Sequence, residues 1–273
     1  MPLVTAILLA TAVFAQPQAL YRTTQYQQAL QLLKGQTGTD SLKLAAQCWY
    51  GLDEFKKATE ILEKAITQAP TRADLHLWLG RAYGRRAETS NPLFAPRYAS
   101  KARQSFEKAV ELDPNYVEAM NDLFEYYRQA PGFLGGGKDK AEALGKRIAA
   151  LDRAEGYLAE ARLLEDRKDY SGAEDRFRKA IAAAPGNAGR VIDLAKFLSR
   201  RGRFPESEEQ FEKAEKLAPN APNLLFERAA AYIEAKRNPE QARALLLRYR
   251  KAPLTPHDPP RKEADKMLKA LGA

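Results

Sequence analysis

The 273-residue sequence predicts an all-α fold, a solenoid of stacked helix–turn–helix units, and three observations carry that prediction. Residues 188–221 read as one complete unit, and the same pattern recurs up and down the chain. Each half of the unit holds its apolar residues at helical spacing, Val191, Leu194, Ala195 and Leu198 in the first and Phe211 and Ala214 in the second. Turn residues punctuate the halves: Pro185, Gly186 and Asn187 before the first helix, Gly202 after it, Pro205 opening the second and Pro219 closing it. Neither short helix can bury its apolar stripe alone, so neighbouring units must stack and share a continuous core.

Taken in order, residues 1–15 are uncharged and apolar and end in Val13, Phe14 and Ala15 before Gln16. This is the pattern of a secretory signal peptide cleaved after Ala15, although the usual early Lys or Arg is absent. The run is shorter than the roughly 20 residues a helix needs to cross a bilayer, and no Cys follows it to carry a lipid. The expectation is a periplasmic or secreted chain with no integral membrane segment after processing. Residues 16–38 form an N-terminal capping half-repeat in which Tyr26, Ala29, Leu32 and Leu33 mark one helix.

Full units follow over 39–72, 73–116, 117–153, 154–187, 188–221 and 222–252. In the first, Leu42, Ala45, Ala46 and Trp49 precede Phe55, Ala58, Leu62, Ala65 and Pro70. The second places Leu79, Gly80 and Tyr83 on its first helix, then an insertion over about 86–97, and resumes near Tyr98 with Ala102, Phe106 and Ala109. The third carries Met120, Leu123 and Tyr127, a Gly-rich insertion over 131–138, then Ala141, Leu144 and Ile148. Tyr157, Ala161, Leu164, Tyr170, Ala173, Phe177 and Ala180 mark the fourth, and Leu225, Ala229, Tyr232, Ala242, Leu245 and Leu246 the sixth. Residues 253–273, with Ala264, Met267, Leu268 and Leu271 on one face, read as a capping helix that shields the end of the stack.

The order of residue types within these units resembles the tetratricopeptide repeat (TPR). In 188–221 the positions of that pattern are filled by Leu194, Ala195, Phe204, Phe211, Ala214 and Pro219, with Ser207 where Ala is usual. Small residues at the helix crossing let two backbones approach while the aromatics fill the remaining volume. The resemblance spans nearly all of residues 20–273. It implies a right-handed α-solenoid whose first helices line a concave groove, and a non-catalytic scaffold or adaptor that holds a peptide or protein there, serving cell-envelope assembly or complex formation. Its alternative is a helical regulatory or substrate-binding subunit of an envelope enzyme complex.

On that resemblance the groove positions are Lys43, Gln47, Leu77, Arg81, Arg85, Asn121, Glu125, Arg128, Arg162, Ile192, Lys196 and Arg200. Their bias is basic, and with a net charge of +9 the groove suits an acidic peptide, unless these cations are ordinary solvating residues of helix surfaces. The family's two-carboxylate clamp is not matched. Lys43 fits its first position, but Gln47, Trp78, Glu118 and Asp122 stand at the others, so its acidic C-terminal ligand is not implied.

Other chemistries find little support. Gly132 to Asp139 approaches a phosphate-binding loop, but Asp139 replaces the Ser or Thr that would ligate magnesium, and a helix precedes the loop where a strand is required. No cofactor is expected. Cys48 has no partner for an internal disulfide and reads as a buried structural thiol. His76 and His257 lie far apart without a ligand cluster, so no metal is expected. No nucleophile and base share a recognisable motif, and nothing in the chain reads nucleic-acid bases. The two insertions fall between first and second helices of consecutive units and should lie side by side. There Leu93, Phe94, Phe133 and Leu134 either close the edge on one another or form a loop-edge contact for a partner.

Overall fold

A computed structural model of the chain describes residues 16–272, so the expected signal peptide over 1–15 lies outside the described residues. Among the described residues there is no strand. The helices fall into two compact units, one up to Leu144 and one from Gly145, with the division inside a helix.

Unit 1 opens with helical residues 16–22 (α1), followed by α2 (Tyr26–Leu33), α3 (Thr39–Gly51), α4 (Phe55–Gln68), α5 (Ala73–Thr89), α6 (Ala95–Leu112) and α7 (Val117–Gln129). A single 3-10 turn over Gly132–Leu134 leads into α8 (Lys138–Leu151), the helix in which the division falls. Helices pair in succession, α3 on α4 and α5 on α6, because each contributes one apolar stripe. The core holds Leu44, Ala46 and Cys48 of α3, Ala58, Leu62 and Ala65 of α4, and Leu75, Leu77 and Ala82 of α5. Gly80 shows why a small residue is needed mid-helix: a Cβ there would run into the Phe106 ring of α6. Burial pushes the Cys48 thiol up to about 12, which makes it an inert core group.

Unit 2 continues with α9 (Arg153–Asp166), α10 (Tyr170–Ala183), α11 (Ala188–Arg200), α12 (Phe204–Leu217), α13 (Pro222–Glu234), α14 (Pro239–Lys251) and α15 (Arg261–Ala270). Side chains cap three of its helices: Asp152, Asp169 and Asn187 accept from the backbone N–H of Glu155, Gly172 and Gly189. Gly202 ends the α11 turn at φ +74°, in the left-handed region glycine enters freely, and Pro205 sits in the first turn of α12. Phe177 and Phe197 meet at 5.2 Å within the α9–α11 core. The last core joins α13, α14 and α15: Tyr249 is fully buried beside Phe226 and donates its hydroxyl to the Pro259 carbonyl, while Ala264 and Leu268 of α15 cover the end.

Two elements add detail that residue order does not give. Within the insertion over 86–97 much of the chain is helical, because α5 runs on to Thr89 and α6 begins at Ala95 with Pro96 in its first turn. Tyr83 and Tyr98 stack across the extended pair at 6.1 Å, and Arg86 lies 4.1 Å from the Tyr98 ring and donates to its hydroxyl. These contacts give the added turns a reason to be helical. In α2, Ala29 and Leu33 are buried but Leu32 is exposed, since one face of so short a helix holds two such positions.

Candidate functional site

The first helix of each two-helix unit carries the residues assigned to binding, and within unit 1 they occur in ion-paired sets. Lys43 Nζ of α3 lies 2.7 Å from Asp74 Oδ2 of α5, and Arg72 holds the same carboxylate at 2.6 Å while also pairing with Asp40. Arg81 of α5 reaches Glu118 at 2.8 Å and Asp122 at 2.5 Å, both on α7. Arg128 pairs with Glu125 at 2.8 Å, and Arg85 with Glu88 one turn on along its own helix. Gln47 and Asn121 are half-buried on these same helices. Burial favours the neutral form of Asp74, but hydrogen bonds from Arg72 and Lys43 outweigh it and hold the carboxyl at about 2. Asp122 goes the other way, raised by burial that Arg81 only partly offsets.

Unit 2 repeats the arrangement. Arg200 of α11 makes two bonds to Glu165 of α9, at 3.0 and 2.9 Å, and Arg190 pairs with Glu155. Lys196 lies 2.6 Å from Glu227 of α13. Half-buried Asp193 is pushed upward by desolvation and held back by Arg162, Arg190 and Lys196, so these cations face an acid of their own chain.

These partners change the charge of the face. The six first helices, α3, α5, α7, α9, α11 and α13, hold eleven Lys and Arg against thirteen Asp and Glu. The six second helices, α4, α6, α8, α10, α12 and α14, hold twenty against fourteen. Over whole helices the basic excess lies on the second helices, and the first helices are close to balanced. Sequence reading named Asp122 only as a mismatch to the clamp and missed Asp193 beside Ile192; an acid one residue past Asn121 and Ile192 was the available signal.

In unit 1 the first helices also border a cleft of about 520 Å3. Its apolar part is built from Ala87 of α5, Ala99, Ala102 and Phe106 of α6, and Ala130, Pro131 and Leu134 after α7. Its polar part is Tyr50 of α3, Arg81, Arg85 and Glu88 of α5, and Asp122, Glu125 and Gln129 of α7. Of the residues assigned from sequence, Arg81, Arg85, Glu125 and Leu134 come together here. Lys43, Gln47, Asn121 and Arg128 are on the same helices but outside its lining, and Arg162, Lys196 and Arg200 belong to unit 2. Phe94 and Phe133 are not part of it: they are 51% and 83% exposed, and Leu93 beside Phe94 is 79% exposed.

The Gly-rich connection closes one end of this cleft. Tyr126 donates its hydroxyl to the Leu134 carbonyl at 2.9 Å, Gly137 N–H to Tyr127 O at 2.8 Å and Lys140 Nζ to Gly135 O at 3.0 Å. Gly136 is required by close approach, since a Cβ there would overlap the Ala130 carbonyl. The N–H groups of Gly135, Gly136 and Gly137 all donate to backbone carbonyls, so none is turned outward to cradle a phosphate. Among the described residues no group of three His, Cys, Asp or Glu could hold a metal ion, and no helix is long and apolar enough to cross a membrane.

Comparison with known proteins bears on the same helices. Tetratricopeptide-repeat family models match residues 98–116 and 164–224. Among curated proteins none matches the chain. A tetratricopeptide-repeat protein of Parabacteroides merdae superposes with a TM-score of 0.63 at 14% identity, covering 96% of this chain and 98% of that one. A thermophilic repeat protein of Thermus thermophilus gives 0.57 at 22% identity, covering 69% of this chain and 98% of that one. With helix pairs of the same pattern in both units, the chain carries tetratricopeptide repeats over 98–116 and 164–224 and shares the fold of these repeat proteins.

Proposed function

We propose that the chain is a non-catalytic scaffold that grips an extended peptide or protein segment along its first helices. The observation that supports this most directly is the unit 1 cleft, which draws its lining from three successive first helices and so opens where an extended segment would lie. A repeated, preformed surface lowers the ordering cost of such binding. Balanced charge on the first helices favours a segment of mixed charge over a polyanion, with the paired cations and acids setting register more than affinity. The apolar stretch 1–15 supports export, which puts the partner in the periplasm or the medium.

Site-specific photocrosslinking tests the reading. A benzophenone side chain at Gln47 or Gln129, on first helices, should give partner adducts in native envelopes, whereas one at Lys56 or Gln104, exposed on second helices, should not. Adducts only from the second helices would overturn the assignment of the binding face.

A further inference from the structure

We propose that the cleft bordered by α5, α6 and α7 is a distinct side-chain pocket: it takes a large apolar side chain of the bound segment, whose neighbouring carboxylate pairs with Arg85. This rests on the peptide-gripping reading and narrows it to one place and one ligand pattern. The apolar wall is made by short residues, Ala87, Ala99 and Ala102, with Phe106 and Leu134 behind them, so the volume comes from missing side-chain bulk on helices that are otherwise closely paired. At about 520 Å3 it lies within the range of sites that hold small ligands, roughly 300–1,000 Å3, and is ample for an aromatic or branched side chain with adjoining backbone. Ala87, on the added turn of α5, and Leu134, in the Gly-rich connection, extend a wall that Ala102 and Phe106 of the repeat helix begin.

Charge selects the neighbouring group. Arg81 is held by two α7 carboxylates, and Glu125 is engaged by Arg128 and by Gln129 at 2.9 Å. Arg85 differs. Its partner Glu88 lies one turn away on the same helix, and the two side chains are 37% and 60% exposed. Exposed pairs of this kind contribute little, so an incoming carboxylate can replace Glu88 and leave it in water. Asp122 and Glu125 already have cationic partners, so a basic neighbour would gain less at this rim.

Selection of a random dodecapeptide phage library on the immobilised full chain tests the pocket. The enriched peptides are then synthesised with fluorescein and measured by anisotropy against the native chain, Gly84→Leu and Arg85→Glu. Gly84 lines the cleft, a Cβ there meets nothing within 4 Å, and replacing a helical glycine strengthens the helix, so Gly84→Leu fills the space without disturbing the fold. Enriched peptides should pair an aromatic or large aliphatic residue with Asp or Glu within two positions. They should bind both variants at least about tenfold more weakly than the native chain. Peptides that bind either variant as tightly as the native chain overturn the pocket and leave the peptide-gripping reading standing. A library that yields no binder overturns both.

Discussion

Asp74 shows how one residue links two repeats. It accepts from Lys43 of the preceding first helix and from Arg72 two residues before it, and together they hold its carboxyl at about 2, below the roughly 3.9 of an unfolded chain. Because the folded value is depressed, ionised Asp74 stabilises unit 1 at every pH above the unfolded value. The contribution is lost as pH falls through about 2. Asp74→Asn should lower stability by about 1 kcal/mol at pH 7, the range for a partly exposed charged hydrogen bond. The gap to the native chain should narrow between pH 4 and 2. Urea unfolding at pH 7, 4 and 2 checks this, and a gap that stays constant would show that the charge is not what Asp74 contributes.

At the scale of single elements, two glycines with different surroundings should respond in opposite directions. Gly84 lies inside α5 with open space around it, so Gly84→Ala should raise stability by about 0.5–1 kcal/mol through helix propensity alone. Gly136 lies in the connection after α7 with the Ala130 carbonyl where its Cβ would be, so Gly136→Ala must displace backbone and should cost about 2 kcal/mol or more. Thermal melts of the two variants give the comparison. If both moved the same way, close approach would not explain the glycine in the connection. The pair also separates two parts of the cleft, since Gly84 belongs to the α5 wall and Gly136 to the turn that positions Leu134. That the insertion over 86–97 lengthens both helices has a local reason. Arg86, Ala87 and Glu88 are all compatible with helix, and the stacking of Tyr83 on Tyr98 that rewards the longer helices joins two elements.

For the molecule as a whole, repeat architecture means that stability is a sum of neighbouring contacts, so an end left uncovered weakens the units next to it first. Removing 253–273 would take away Leu254, Ala264, Leu268 and the Pro259 carbonyl that Tyr249 donates to, and expose Leu245 and Leu246. The truncated chain should melt lower and bind a hydrophobic dye that the intact chain does not; unchanged melting would show that α15 is not a structural cap. The charge of +9 also acquires a place at this scale. It is concentrated on the second helices and on α15, which holds four Lys and Arg against two acids.

Much of this could be read from residue order. Helix periodicity, the Asn187 cap, the Gly202 stop and the Pro205 start are contacts within a few residues, so the repeat and its family pattern were visible without any partner element. The surface that would meet a partner was not. Lys43 and Asp74 are 31 residues apart, Arg200 and Glu165 35, and Arg81 and Asp122 41, so a cation assigned to a ligand meets its own chain's acid only after the repeats have stacked. The cleft has the same origin: Ala87, Ala102, Asp122 and Leu134 are ordinary positions on separate elements, and they enclose a volume only because four helices and a glycine-rich turn converge on it.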